Sequence, residues 1–371
     1  MMKNFYLPVA ATLLIVVRAW AQEKPLEMKM DFEEYNPPSS LVVVEHHLQK
    51  SKFPFIDIHN HQGNMNSADL SSLVAAMDKL NMAVMVNLSG RGFGGSGDHL
   101  QRSLENINKN FPSRFVLFTN ISFADIDKPD WTANTVRQLE EDVKLGAKGL
   151  KIYKTLGLFA KDKSGKRIHI DDPRIDAVWD KCGELRIPVL IHAADPKQFW
   201  QPIDKDNERW LELKLHPGRR HDKDTVKWET IIAEQHKMFR KHPKTKFIDA
   251  HLGWYGSDLK KLGQLLDQMP NVYTEIGAVI AELGRQPRAA KTFLTKYQDR
   301  VLFGKDSWVP EEYETYFRVL ETEDDYFPYH KRYHAFWRMY GIGLPDEILK
   351  KIYYKNALTI LPRMNKSQFP E

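Results

Sequence analysis

The chain has 371 residues, of which 42% are hydrophobic and 28% charged, with a formal net charge of +5, the composition of a globular protein with room for one large domain or two ordinary ones. So small an excess of positive charge argues against a nucleic-acid-binding surface and does not require an acidic substrate. The single cysteine, Cys182, excludes an internal disulfide and a thiolate metal site, so stability has to come from core packing.

The first segment, 1–21, sets Lys3 before an apolar run from Leu7 to Val17 and ends in small residues, Ala19 and Ala21, around Trp20. It reads as a secretory signal peptide, so the mature protein is expected to be exported, periplasmic or secreted, with no stable membrane insertion; a retained anchor is the alternative. Residues 22–40 are polar, contain Pro37-Pro38, and read as a flexible leader. From 41 to 371 short apolar segments alternate with amphipathic ones, the pattern of repeated βα units around a parallel sheet. Eight strands are predicted near 55–61, 82–88, 115–122, 149–153, 188–193, 246–251, 271–276 and 300–306, with helices at 67–80, 133–145, 174–185, 225–241 and 346–358. Eight strands suit an α/β fold of the closed (β/α)8 TIM-barrel type, and no G-x-G-x-x-G turn follows the first strand to favour an open dinucleotide-binding sheet. Two connections, 155–173 and 195–224, exceed the usual βα-loop length; the second, with Phe199, Trp200, Arg209 and Trp210, reads as a cover over the barrel mouth or as a surface insertion.

Five apolar runs end on residues that can hold or assist a metal ion: FIDIHNH, GLKIYK, PVLIHAADP, FIDAHLGW and VLFGKDSW. Spread over the length of the chain, these residues meet only where a barrel gathers the carboxyl ends of its strands. His59 and His61 are two apart, so in a strand they leave the same face and can grip one ion. His192 and Asp306 end buried strands and are further ligand candidates; imidazoles with one carboxylate suit zinc first, and also manganese or iron. His251 is placed to bind substrate or metal. Lys151 is expected inside the barrel, where it can pair with Glu275, meet an anionic substrate group, or bridge a second metal after carbamylation. Arg91, Arg285, Trp254 and Trp308 are candidate substrate contacts, the arginines because a guanidinium offers paired donors to a carboxylate. The pairs His46/His47, His216/His221 and His330/His334 read as surface residues.

Together with the AELGRQP stretch and the final KIYYKNALTILP, these motifs resemble the amidohydrolase superfamily, in its amidohydrolase-related branch of hydrolases and decarboxylases, over roughly 53–362. The resemblance implies that His59, His61, His192 and Asp306 hold one divalent metal, that Asp306 also handles protons, and that His251 polarises a carbonyl or positions water. Lys305 departs from the pattern, standing where relatives often carry a small residue. The expected activity is metal-dependent hydrolysis of a lactone, ester or amide in a small molecule, with a homodimer as the candidate assembly. The alternatives are non-oxidative decarboxylation of an aromatic or unsaturated acid, and a non-catalytic binding protein that kept the barrel.

Overall fold

A computed structural model describes residues 26–92, 97–223 and 226–370, so the signal-peptide segment lies outside the described residues. The chain divides into two units, 1–42 and 43–371. In the first, the described residues carry one turn at 32–34, where Glu34 N donates to Asp31 O at 3.0 Å.

The second unit alternates strands and helices. The barrel strands are β1 (Phe55–Asn60), β2 (Met82–Asn87), β3 (Phe115–Leu117), β4 (Thr119–Asn120), β5 (Leu150–Ile152), β6 (Val189–Ile191), β7 (Phe247–Asp249), β8 (Val272–Glu275) and β9 (Val301–Leu302). They form parallel ladders in the orders β1-β2-β3 and β4-β5-β6-β7-β8-β9. Only Phe118 separates β3 from β4, so the two serve as one strand shared between the ladders. At the other seam Ile58 N donates to Phe303 O at 3.0 Å and Asp306 N to His59 O at 2.7 Å, which sets the end of the strand series against its beginning. The fold is the expected α/β TIM barrel, with all eight predicted strand positions occupied.

Strand residues that point outward, such as Phe55 and Phe247, are buried against the helices, with ring centres 5.5 Å from Phe317 and 4.8 Å from Phe239 respectively. Helix Ser71–Leu80 returns Val74, Met77 and Leu80 to that layer and ends on Asn81 at φ 65°, a left-handed cap that asparagine tolerates. The last helical run, Asp346–Lys350, Lys351–Lys355 and Asn356–Ile360, contains a π turn at its centre. Asn356 pins it to the barrel by donating to Val301 O at 2.7 Å. No helix among the described residues is long and apolar enough to cross a membrane.

Both long connections leave the carboxyl ends of strands. The first carries an antiparallel bridge between Lys161 and Arg167. The second folds into the short helices Lys197–Trp200, Trp210–Leu215 and Pro217–Arg219, and Phe199, Arg209, Glu212 and Arg219 from it line a cavity over the strand ends. It is therefore a cover for that cavity as well as an insertion.

Candidate metal centre

Ligand atoms of His59, His61 and Asp306 converge within 4.8 Å of one another. Asp306 Oδ1 lies 3.2 Å from His59 Nε2 and 3.7 Å from His61 Nε2. The hydrogen bond between Asp306 N and His59 O fixes the two chain segments together, and Asp306 takes a positive φ of 82° to turn its carboxylate toward the histidines. The close fit extends to Gly304, where a Cβ would stand 2.5 Å from Glu275 Oε2 and 3.0 Å from His59 Cβ.

The far nitrogens of both imidazoles are occupied. His59 Nδ1 lies 3.0 Å from Glu275 Oε1, and His61 Nδ1 lies 2.8 Å from Ser89 Oγ. Such partners fix the tautomer that leaves Nε2 bare for a cation. Burial pushes the His59 pKa well below the usual histidine range, reinforced by the Lys151 charge, and the same causes bring His61 down to about 4. Burial alone would raise Asp306, but His59, His251, His61 and Lys151 favour its carboxylate and hold it at about 2. Neutral imidazoles beside a carboxylate are the protonation states a divalent ion requires.

Lys151 Nζ reaches across the barrel to 3.3 Å from His59 Nε2, as its inward parity in β5 predicts. Burial brings it down to about 8, against the opposing pull of Asp306 and Glu275. Glu275 accepts from His251 N at 2.7 Å and from Gly277 N in addition to facing His59. These contacts let it orient the His59 ring and the His251 backbone. His251, His59 and Glu275 also form a group of converging ligand atoms, in keeping with the expected second-metal or substrate role of Glu275. A third group, His169, Asp171 and Glu234, has Glu234 tied to Arg167.

His192 departs from the expected arrangement. It is not among the ligand atoms that converge on His59; its Nδ1 lies 3.3 Å from His251 Nε2. Since His251 Nδ1 lies 2.7 Å from Gly277 O, which can only accept, the Nε2 of a neutral His251 is an acceptor and His192 Nδ1 donates to it. His192 Nε2 is then a bare, buried acceptor with no hydrogen-bond partner among the described residues, 3.9 Å from Asp195 Oδ1, the state in which an imidazole can take a cation. The same proton order means that a neutral His251 cannot polarise a carbonyl from Nε2 while it receives from His192.

A cavity of about 270 Å³ opens above this cluster, with Asp306, His192 and His251 on its floor. Trp254 lines it as expected, its ring 4.7 Å from that of His251 and its Nε1 bonded to Ala193 O at 2.8 Å. Trp308 does not line it and packs on Tyr313 with ring centres 5.8 Å apart. Neither expected arginine lines it. Arg91 forms two bonds to the buried Asp142 at 2.7 and 2.9 Å, and Arg285 stacks on Trp337 at 4.1 Å while pairing with Glu282 and Glu208. Four cations do line it: Arg209, which belongs to the segment read as a cover, and Lys154, Arg219 and Lys331, which escaped the sequence reading. Lys154 had a signal, since it follows the inward Lys151 and Tyr153 at the end of β5; the others lie far from any strand motif.

Several histidines read as surface residues are otherwise placed. His334 lines the cavity, and His221 is buried with Nε2 3.0 Å from Asp195 Oδ2. His330 is mostly buried beside Glu312; His46 is exposed as expected, and holds Asp324 at 2.5 Å. Lys305 is buried with Nζ on Glu312 Oε2 at 2.5 Å and on Ser307 O at 2.9 Å, directed away from the Asp306 carboxylate.

Asp249, at the end of β7, has one side-chain hydrogen-bond partner among the described residues, Gln235 Nε2 at 3.0 Å. Burial pushes its pKa up to about 8, with Gln235 opposing and Glu275 adding to the rise. The folded state therefore holds this proton where the unfolded chain has released it, and stability falls as pH rises from about 4 to about 8. In metal-free protein, Asp249→Asn is expected to remove that slope. Its unfolding free energy by urea denaturation should gain on wild type by up to about 1.4 kcal/mol per pH unit across that window and by nothing further above it. A constant difference from pH 5 to pH 8 would show that Asp249 is ionised throughout.

The sequence matches the amidohydrolase family over residues 119–363, a segment that contains Lys151, His192, His251, Glu275 and Asp306 but begins after His59 and His61. No curated protein matches it. Among solved structures it is similar to 2,6-dihydroxybenzoate decarboxylase from Rhizobium, with TM-score 0.53 and 13% identity over 83% of this chain and 98% of that one. It is also similar to a dihydroxybenzoic acid decarboxylase from Polaromonas with bound manganese and the inhibitor 2-nitroresorcinol (TM-score 0.52, 14% identity, 83% and 96% covered). A third is 4-oxalomesaconate hydratase from Rhodopseudomonas palustris (TM-score 0.50, 14% identity, 83% and 96% covered). At these identities the likeness is one of fold.

Proposed function

The chain belongs to the amidohydrolase family, and on that premise we propose that it is a metal-dependent hydrolase that cleaves a lactone, ester or amide in a small molecule. The observation that carries the reading is the convergence of His59 Nε2, His61 Nε2 and Asp306 Oδ1 under a cavity. His59, His61 and Asp306 would hold a divalent ion, and the bare Nε2 of His192 is the further donor at hand. When bound, such an ion supplies Lewis-acid polarisation and acidifies a water that it holds. Imidazoles with a carboxylate accept zinc, manganese or iron, and the manganese of the Polaromonas relative makes manganese the first to load.

The remaining work falls to the side chains. Asp306, ionised and open to the cavity, takes a proton from the attacking water and returns it to the leaving group. Lys151, buried beside His59, offers positive charge to an oxyanion forming at that end. Trp254 and the covering segment with Phe199 exclude water from the reacting centre. The cavity, near the small end of ligand sites, limits the substrate to less than drug size.

Decarboxylation of an aromatic or unsaturated acid is the second reading, favoured by one feature: the cavity wall combines Phe199, Trp254 and Tyr329 with Lys154, Arg209, Arg219 and Lys331, cations that are paired with Asp195, Glu212, Glu282 and Glu312 and that an acid would share with those carboxylates. Metal-loaded protein assayed with small lactones, amides and aromatic acids in H₂¹⁸O separates the two. Incorporation of ¹⁸O into the organic product supports hydrolysis; release of CO₂ with no ¹⁸O in the organic product replaces that reading with the lyase.

A further inference from the structure

His59 and His61 leave the same strand, yet their outer nitrogens are held by different chemistry. Behind His59 stands the carboxylate of Glu275. Behind His61 stands a chain of neutral hydroxyls: Ser89 Oγ lies 2.8 Å from His61 Nδ1, Tyr153 OH lies 2.8 Å from Ser89 Oγ, and Tyr153 OH donates to Leu88 O at 3.3 Å. The direction of every proton follows from the far end. Leu88 O can only accept, so the Tyr153 proton goes there; the Tyr153 oxygen then accepts from Ser89, whose oxygen accepts from His61 Nδ1–H. Asn120 Nδ2 donates to the same Leu88 O at 2.9 Å, and Ser89 N donates to Asn87 Oδ1 at 2.9 Å, so both ends of the chain are anchored to strands.

We propose that Ser89 and Tyr153 are positioning residues that hold His61 in the Nδ1–H tautomer and present its Nε2 lone pair to the cation, an inference that rests on the metal-centre reading above. Without Tyr153, the Ser89 hydroxyl is free to rotate and donate to His61 Nδ1, which moves the imidazole proton to Nε2, on the side of Asp306. The Tyr153 ring, 5.7 Å from the His61 ring and 5.6 Å from Lys151 Nζ, also limits how the imidazole can swing. A hydroxyl chain orders the ring without adding a further negative charge to a pocket that already contains Asp306 and Glu275.

The test is Mn²⁺ affinity, measured through the EPR signal of free Mn²⁺, for wild type, Ser89→Ala, Tyr153→Phe and the double variant. Ser89→Ala is expected to weaken binding about 10- to 100-fold, the usual cost of losing such a partner. Tyr153→Phe should weaken it less, and the double variant no more than Ser89→Ala alone, because the hydroxyls act in series. Thr245→Ala removes an equally buried hydroxyl, bonded to Trp179 O, and should lower Tm with no change in affinity. In metal-free protein the ¹⁵N shifts of the His61 ring should show protonated Nδ1 in wild type and tautomer exchange in Tyr153→Phe, a readout that remains if Ser89→Ala does not fold. Wild type that binds Mn²⁺ while both single variants bind it equally well overturns this proposal alone, as do additive losses in the double variant. Wild type that binds no Mn²⁺ overturns it together with the metal-centre reading.

Discussion

Alanine at both His59 and His61 is expected to take tightly held divalent metal from ~1 ion per chain to none, and turnover with it, because two of the ligand atoms that meet Asp306 disappear at once. The affinity that remains should be that of a carboxylate with no imidazole from β1. Elemental analysis of wild type and variant after growth and purification with equal metal exposure checks this. The double replacement also leaves Glu275 facing an empty position in the core, where it now meets His59 Nδ1, so a lower Tm is expected alongside the metal loss. Retained folding with lost metal is the informative outcome. Equal metal in both proteins would move the centre away from β1, toward the group of His169, Asp171 and Glu234. Near two ions per wild-type chain would instead bring Lys151, 3.3 Å from His59, forward as a bridging ligand.

The second large effect is expected of Asp306→Asn. The amide keeps the size of the carboxylate and an oxygen to face His59 and His61, but it cannot accept and return a proton. Loss of general acid-base catalysis costs about 10²- to 10⁴-fold in rate, and the loss should fall on kcat more than on KM, since Asp306 occupies only part of the cavity floor. Metal affinity should also fall, because a charged ligand becomes neutral, so the comparison is made with the metal in saturating excess. A cavity ligand that binds wild type and variant equally, with no measurable turnover in either, would leave the barrel as a binding protein.

Much of this arrangement was legible in the sequence because it rests on period-two alternation at strand ends. In FIDIHNH the spacing put His59 and His61 on one face, and in GLKIYK it put Lys151 inside the barrel, where its Nζ meets His59. The tandem of apolar runs and amphipathic helices gave the eight strand positions without any long-range information. The site's substrate side was not legible in that way. Arg91 and Arg285 looked available because their partners are remote or side-on: Asp142, 51 residues from Arg91, and the Trp337 ring, 52 residues from Arg285. His221 and His334 looked like surface residues because, although the length and aromatic content of 195–224 marked a cover, nothing local shows which of its side chains turn inward or that the segment around His334 joins it.

By itself, then, the order of residues determined the strands, the inward faces and the cluster that could hold an ion, since each depends on neighbours two to four positions away and on backbone geometry that repeats. Which nitrogen of each imidazole is bare, which carboxylate orients and which is open to the cavity, and which cations reach that cavity were decided only by tertiary structure. Those properties depend on atoms 3 Å apart in space and tens to hundreds of residues apart in the chain, as between His59 and Glu275, 216 positions away. Hydrogen-bond direction and burial act at that range, and no short window of sequence contains both partners.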